Sequence, residues 1–249
     1  MPISRIATMI VLCGLVLPAA CTERPRSQSP SRSAAPPATT PAAALTHNFA
    51  RWEKEISAYE QADRIRPPAK GGILFIGSST IRMWKTLAAD FPEHAVVNRG
   101  FGGSQIVDST HFAERIIFPY QPRMIFLRAG GNDIHAGKSA SQVFKEYKAF
   151  VAKVHARLPQ TQIAYIALCP APARWIERDA NKALNDLVKA YTRQHDYLKY
   201  VETYDMSLTP DGQARPELFV ADRLHFNTDG YRLLAERVRP FLPPARSGN

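Results

Sequence analysis

Four short apolar runs recur at wide spacing along the chain and predict the strands of one sheet. They comprise residues 73–76, 95–97, 124–127 and 163–168. Residues 200–203 predict a fifth, weaker strand. The runs show little polar alternation, which is typical of strands covered on both faces, as in a parallel sheet.

Between these runs, apolar residues recur at spacings of three and four and predict amphipathic helices. One apolar stripe covers residues 143–158, and either Ser139 or Ser141 can cap its start. A second stripe covers residues 176–191, and a third, residues 231–241, closes the chain. Alternating strands and helices indicate an α/β fold in which helices cover both faces of a parallel sheet.

The N-terminal segment predicts export from the cytoplasm. Residues 1–20 combine one positive charge, an uncharged apolar run and small residues before Cys21, as in a signal peptide. The apolar run is shorter than the roughly 20 residues that span a bilayer. The small residues before Cys21 resemble the lipobox of bacterial lipoproteins. This resemblance implies a lipid on Cys21 and a cell-envelope protein, periplasmic or anchored in the outer membrane. Ordinary cleavage after Ala20 would instead give a soluble periplasmic or secreted protein.

The rest of the chain predicts a tether followed by a single domain. Residues 21–46 are rich in Ser, Pro, Ala and Thr, which favours a flexible tether. Residues 47–249 are enough for one domain with its own hydrophobic core. Cys169 is the single cysteine of that domain, so no disulfide is expected within it.

Charge narrows the range of partners. The formal net charge is +10, which favours anionic surfaces such as lipid headgroups or acidic polysaccharides. The charges are scattered, and no Lys/Arg block interleaved with aromatic residues occurs, so nucleic acid is not an expected partner. The sequence contains neither an H-E-x-x-H pattern nor paired C-x-x-C units, so we expect no zinc site.

Polar segments follow the first three predicted strands. They are residues 77–79 (Gly-Ser-Ser), 98–103 (Asn-Arg-Gly-Phe-Gly-Gly) and 130–133 (Gly-Gly-Asn-Asp). In a parallel sheet, ligands bind beyond the carboxyl ends of the strands, so these segments should converge at one edge. A serine between a strand and a helix presents both its hydroxyl and a helix N-terminal N–H to that edge. Either Ser78 or Ser79 qualifies.

A carboxylate and an imidazole near the C-terminus complete a candidate site. Asp222 can reach the ring of His225 three residues later and fix its tautomer, so that the other ring nitrogen faces the serine. Gly102 and Gly103 offer bare backbone N–H groups, and Asn132 offers a side-chain amide to an oxyanion. Each motif also has an ordinary structural reading, as a surface pair, a turn of positive φ or a helix cap.

Further residues are candidates for the walls of the site. Residues 170–175 follow the fourth predicted strand and should border the crevice, where they would influence substrate choice. Arg82, Trp84 and Trp175 are also candidates, although core or rim packing explains both tryptophans equally well. His135 either lines the pocket or is solvated in its loop.

In this order, the four blocks resemble those of the SGNH-hydrolase superfamily, also called GDSL esterases/lipases, which carry Ser, Gly, Asn and His. The resemblance runs from about residue 72 to the last helix. Aligning glycine on glycine selects Ser79 as the nucleophile and places Ser78 where the family usually has aspartate. The other blocks select Gly103, Asn132, Asp222 and His225.

The resemblance implies a flavodoxin-like, three-layer α/β/α sandwich with about five parallel strands. It also implies hydrolysis of carboxylic esters without a metal or organic cofactor. Ser79 would attack the ester, with His225 as base and Asp222 orienting it. The N–H groups of Ser79 and Gly103 and the amide of Asn132 would hold the oxyanion.

Several features of the function stay open on the sequence. Short-chain acyl esters, lysophospholipids and O-acetylated sugars all remain candidate substrates, and the oligomeric state is open. The second hypothesis is a non-catalytic envelope lipoprotein that uses the same fold to bind glycans or a partner. It is motivated by Ser78, which replaces the usual aspartate, and by the tether.

Overall fold

The computed structural model of the protein describes residues 47–245. The predicted signal peptide at 1–20, the tether at 21–46 with its lipidation site at Cys21, and the last four residues of the predicted domain lie outside the described residues. Within residues 47–245, no helix combines the length and the apolar character needed to cross a membrane.

The strands form one fully parallel, five-stranded sheet. Their order is β2-β1-β3-β4-β5. Their bounds are β1 Ile73–Gly77, β2 Val96–Gly100, β3 Met124–Arg128, β4 Gln162–Ile166 and β5 Leu198–Val201. This is the flavodoxin-like order, in which the chain reverses direction across the sheet between β1 and β3 and opens a crevice there. The predicted fold class is confirmed.

Helices of very different length connect the strands. The α-helices of the described chain are α1 Glu53–Ile65, α2 Ser79–Arg82, α3 Leu87–Asp90, α4 Ile106–His111, α5 Ala113–Ile116, α6 Gly131–His135, α7 Ala140–Arg157, α8 Arg178–Thr192 and α9 Thr228–Val238. Short 3-10 helices cover Phe49–Trp52, Phe118–Tyr120, Pro172–Glu177, Tyr204–Ser207, Pro216–Leu218 and Arg239–Phe241.

Two hydrophobic cores lie on opposite faces of the sheet. Leu74 of β1 belongs to one core, together with Val151 of α7. The next residue, Phe75, belongs to the other core, together with Leu234 of α9. Because successive side chains of a strand point to opposite faces, burial on both faces makes the whole strand apolar. This explains the uninterrupted apolar runs in the sequence.

The start of α7 settles one of the alternatives that the sequence left open. Ser139, not Ser141, caps the helix: its Oγ accepts from the N–H of Gln142 at 3.3 Å. The Gln142 side chain in turn accepts from the Ser139 N–H at 2.8 Å. This reciprocal pair satisfies two of the N–H groups that a helix start leaves without partners.

Some predicted boundaries are wrong. β2 continues through Asn98 and Arg99, which the sequence places in a loop, because the buried Arg99 pairs with Asp63 of α1 and donates to the Tyr120 hydroxyl at 2.7 Å. A charged strand residue is thus accommodated by partners from distant segments. Ile176 lies in a 3-10 helix and is 88% exposed, so it is not part of the apolar stripe of α8.

A close backbone approach sets the end of β1. Gly77 has a φ of +138°, and a Cβ at this position would overlap the carbonyl oxygen of Arg128 in β3. The N–H of the next residue, Ser78, donates to that same carbonyl at 3.1 Å. Only glycine therefore allows β1 to end in contact with β3.

We predict that Gly77→Ala destabilises the fold more than Gly137→Ala does. Both glycines have positive φ, but a Cβ at Gly137 has nothing within 4 Å. Gly137→Ala should cost about 1 kcal/mol from backbone strain alone. Gly77→Ala should cost about 3 kcal/mol or more, because overlap is added to the strain. Urea unfolding followed by circular dichroism measures both, and equal losses would contradict the proposed close approach.

Candidate active site

The imidazole of His225 lies between a hydroxyl and a carboxylate. Its Nε2 is 2.9 Å from Oγ of Ser79, and its Nδ1 is 2.6 Å from Oδ2 of Asp222. A carboxylate beside Nδ1 favours the tautomer with the proton on that nitrogen, which leaves Nε2 free to accept the serine proton. Ser78, the alternative, forms no side-chain hydrogen bond within residues 47–245. The structure therefore brings Ser79 to the imidazole.

Asp222 is held by the turn that contains it. Its Oδ1 accepts from the N–H groups of Leu224 at 2.9 Å and His225 at 3.0 Å. The hydrogen bond from the His225 ring, followed by these two backbone bonds, lowers the pKa of Asp222 to about 2. Asp222 is therefore ionised at every pH above that value. Its contribution to stability is present above its usual pKa of 3.8 and is lost as the pH falls towards 2.

The turn that carries this pair is locally strained and tightly closed. Val220 donates its N–H to the carbonyl of His225 at 2.9 Å, and Arg223 takes a φ of +56°, which is unusual for a residue with a side chain. The carbonyl of Arg223 accepts from the N–H of Ala173 at 3.0 Å, which attaches the turn to the segment after β4. These bonds hold the imidazole in place.

Three N–H donors face the pocket beside Ser79. The backbone N–H groups of Ser79 and Gly103 have no hydrogen-bond acceptor in the described part of the chain. Asn132 uses one of its two amide N–H bonds to donate to the carbonyl of Ser104 at 3.0 Å, and its other N–H has no protein acceptor there. Ser79, Gly103 and Asn132 all line the same pocket. The arrangement can bind an oxyanion.

The fully buried Ser104 connects these donors to the sheet. Its Oγ donates to the carbonyl of Gly77 at 3.2 Å, and that carbonyl also accepts from the N–H of Phe101 at 2.9 Å. Its own carbonyl accepts from Asn132. One serine thus joins the end of β1, the loop after β2 and the start of α6. The sequence gives no signal for this role.

Arg174 is a second residue that the sequence does not identify. Its Nη1 donates to Oδ1 of Asn132 at 3.0 Å. Because the oxygen of the amide is bound here and one N–H is bound by Ser104, the orientation of the amide group is fixed. Arg174 belongs to the segment 170–175, and the prediction that this segment borders the crevice is confirmed. Arg174 itself has a non-helical backbone conformation and interrupts the 3-10 helix Pro172–Glu177.

Two spaces meet at Ser79, Asn132 and His225. The first is a partly enclosed cavity of about 80 Å³, called the enclosed cavity below. Its walls combine the apolar side chains Leu168, Ala171, Phe219 and Phe226 with the polar side chains Arg128, Arg174, Glu177 and Asn181. The second is an open pocket of about 360 Å³, which is bordered by Glu55, Arg82, Gly102, Gly103 and Arg174. The candidate nucleophile therefore lies beside a smaller space and a larger one, and both have polar as well as apolar walls.

The other candidate wall residues lie in different parts of the structure. Arg82 borders the open pocket, as expected. Of the two readings left open for Trp84, core packing is confirmed, because this side chain is 1% exposed and packs edge-on against Phe75. Trp175 lines neither space and lies under the guanidinium of Arg178. His135 is 57% exposed and pairs with Glu177, which lines the enclosed cavity.

Comparison with known proteins identifies the family of this chain. The fold, with a Ser-His-Asp line at the β1/β3 crevice, defines an SGNH-type α/β protein. A family model described as the GDSL-like Lipase/Acylhydrolase family matches residues 77–233, more than half of the chain. The chain belongs to this family. No curated protein matches it significantly.

Solved structures share the fold at low sequence identity. A Streptococcus pneumonia protein provisionally described as a platelet activating factor aligns with a TM-score of 0.69 and 19% identity, over 78% of this chain and 94% of that one. A GDSL-like lipase from Bacteroides thetaiotaomicron has a TM-score of 0.60 and 18% identity, with 78% and 96% covered. A variant of an acetyl-xylooligosaccharide esterase from Geobacillus Stearmophilus has a TM-score of 0.54 and 16% identity, with 73% and 99% covered.

Asp133 follows Asn132 in α6 and is fully buried. Its Oδ1 accepts from the N–H of Ile106 at 3.2 Å and lies 3.5 Å from Nζ of Lys138. Burial, followed by the neighbouring carboxyl group of Glu146, raises the pKa of Asp133 to about 7. The folded state therefore retains a proton that the unfolded chain loses near pH 3.8.

We predict that, between pH 4 and pH 7, the free energy of unfolding falls less in Asp133→Asn than in the wild type. In the wild type, raising the pH through this range removes the proton of Asp133 more readily from the unfolded state, so the free energy of unfolding falls. The asparagine keeps the acceptor for Ile106 and carries no charge, so the fall should be smaller. Urea midpoints across this range measure it, with the exposed Asp196→Asn as control. Parallel curves for wild type and Asp133→Asn would disprove the effect.

Proposed function

We propose that this protein hydrolyses carboxylic esters with Ser79 as nucleophile. His225 removes the hydroxyl proton through Nε2 as Oγ attacks the ester carbonyl, and Asp222 stabilises the imidazolium that forms. The observation that carries this proposal is the continuous hydrogen-bonded line from Ser79 Oγ through His225 to Asp222, with distances of 2.9 Å and 2.6 Å. His225 then protonates the leaving alcohol and activates the water that releases the acyl group.

The oxyanion is stabilised by donors that are already in place. They are the N–H groups of Ser79 and Gly103 and the second amide N–H of Asn132, none of which has an acceptor in the described part of the chain. Arg174 acts as a positioning residue, because it binds the amide oxygen and keeps the N–H side of Asn132 turned towards the pocket. Such preorganised donors lose no energy to reorientation during the reaction.

We propose a short acyl group, because the enclosed cavity is small. Its volume of about 80 Å³ is roughly half of the ~150 Å³ that holds one benzene molecule in a protein core. An acetyl group fits this space beside Leu168 and Phe226, and a long acyl chain does not. The open pocket then takes the alcohol portion. This favours O-acetylated alcohols such as sugars over lysophospholipids.

The cell envelope is the proposed location, on the basis of residues 1–21 of the sequence. The alternative to catalysis is a binding lipoprotein with the same fold, favoured by Ser78 at the position of the family's usual aspartate. The hydrogen bonds that join Ser79, His225 and Asp222 support the esterase instead. Reactivity of the serine separates the two functions.

We predict that a fluorophosphonate labels Ser79, because an activated serine attacks phosphorus as it attacks an ester. Mass spectrometry of the intact protein should show one adduct, and peptide mapping should place it on Ser79. Labelling should disappear in Ser79→Ala and His225→Ala. The matched control Ser78→Ala should still be labelled, because Ser78 has no contact with the imidazole. An unlabelled wild-type protein with a normal fold would favour the binding function.

We predict a steep dependence of activity on acyl length. For nitrophenyl esters, kcat/KM should fall by about 10-fold or more from acetyl to octanoyl, because the cavity has no room for added methylenes. Leu168→Ala should shift the preference to longer chains by removing part of the wall. Leu187→Ala, on the exposed side of α8, serves as control. Equal rates on acetyl and octanoyl esters would contradict the short-acyl proposal.

A further inference from the structure

The crevice around Ser79 contains three arginines without a carboxylate partner. They are Arg82, Arg128 and Arg174, and none of them forms an ion pair within 4.0 Å with a described residue. Other arginines of the described chain do form such pairs, as Arg115 does with Glu53 and Glu60. Arg82 and Arg174 line the open pocket, whereas Arg128 lines only the enclosed cavity.

Two of these arginines bind neutral groups only. Arg174 donates to Oδ1 of Asn132 at 3.0 Å and to the carbonyl of Gly131 at 3.5 Å. Arg128 is 5% exposed and donates to the carbonyl of Ala167 and to Sγ of Cys169 at 3.2 Å. A guanidinium has five N–H donors, so these contacts leave its charge without compensation. Burying such a charge without a counterion is unfavourable.

The side chain of Arg82 makes no hydrogen bond or ion pair within residues 47–245. Its guanidinium packs against the backbone of Gly102, at the rim of the open pocket. Arg82 is exposed and is the last residue of α2, the helix that follows β1. It can therefore contact a ligand in the pocket without first breaking a bond within the protein.

Three carboxylates also lie at the crevice. Asp222 is engaged with His225, and Glu177 binds Nδ1 of His135 at 2.6 Å. Glu55 is the carboxylate that borders the open pocket, where it stands against the two guanidinium groups of Arg82 and Arg174. The residues that line the open pocket therefore carry one more positive than negative charge, and charges in a cleft act on a ligand more strongly than charges on a flat surface.

We propose that the open pocket binds an anionic group, a carboxylate or a phosphate, carried by the alcohol portion of the ester. The anion lies between Arg82 and Arg174, and planar guanidinium groups bind both anions with paired N–H bonds. The inference rests on the proposed esterase function, since it assigns the alcohol portion to this pocket. The enclosed cavity is assigned to the acyl group because of its small volume, which leaves the open pocket for the anion.

Matched substrates test this preference with one acyl group throughout. They are 3-acetoxybenzoate, its neutral methyl ester and 3-acetoxyphenyl phosphate. In Arg82→Gln, the ratio of kcat/KM for an anionic substrate to that for the neutral ester should fall by about 10-fold, the scale of one hydrogen bond to a charged group. Comparing variants cancels intrinsic differences between the leaving groups. Glu55→Gln should raise the same ratio, and the larger response of carboxylate or phosphate identifies the anion.

Arg193→Gln is the control for net charge, because this exposed arginine follows α8 and lines neither space. It should leave the ratio unchanged. A ratio that is the same in wild type and Arg82→Gln overturns the anion site. An equal fall in Arg82→Gln and Arg193→Gln also overturns it, because the effect would then come from the overall charge.

A binding measurement separates this inference from the esterase proposal. Ser79→Ala cannot be acylated, so calorimetry can compare its affinity for intact 3-acetoxybenzoate and for the methyl ester. The anionic ester should bind about 10-fold more tightly, and the added change Arg82→Gln should remove the difference. Tighter anion binding without turnover in the wild type would retain the anion site and reject the esterase. Equal affinities would reject the anion site even if the wild type hydrolyses both esters.

Discussion

The contact between two backbones at the end of β1 is the constraint on which the site depends. Gly77 leaves no room for a side chain because the carbonyl of Arg128 occupies that space. The carbonyl of Gly77 in turn accepts from Phe101 and from Ser104. The ends of β1, β2 and β3 are therefore fixed relative to one another by main-chain geometry. Ser79 follows two residues later and starts its helix at a defined point above the sheet.

Local hydrogen bonds orient some side chains of the site, and hydrogen bonds to distant segments orient others. Asp222 and His225 lie three residues apart in one tight turn, so their mutual geometry needs little from the rest of the fold. Asn132 is different, because its amide is held at both ends by residues far away in sequence, Ser104 and Arg174. The base and its carboxylate are a local unit, whereas the proposed oxyanion donor is a product of tertiary packing.

Charge in the crevice follows from one departure from the family pattern. The family's usual aspartate is replaced by Ser78, which lines the enclosed cavity together with the buried Arg128. A carboxylate at Ser78 would place a negative charge in the same small space as this guanidinium, whose present acceptors are neutral. The neutral serine adds no negative charge to this space.

The sequence by itself determined the sheet, because strands buried on both faces have to be apolar throughout. It also determined which residues reach the crevice, since the carboxyl ends of parallel strands share one edge. It left Ser78 and Ser79 as alternatives until the family pattern was applied. Only the tertiary structure decided that Trp84 lies in the core, that Arg99 extends β2, and that Ser104 and Arg174 hold Asn132. These outcomes depend on contacts between distant segments, and periodicity along the chain carries no information about which distant side chains will meet.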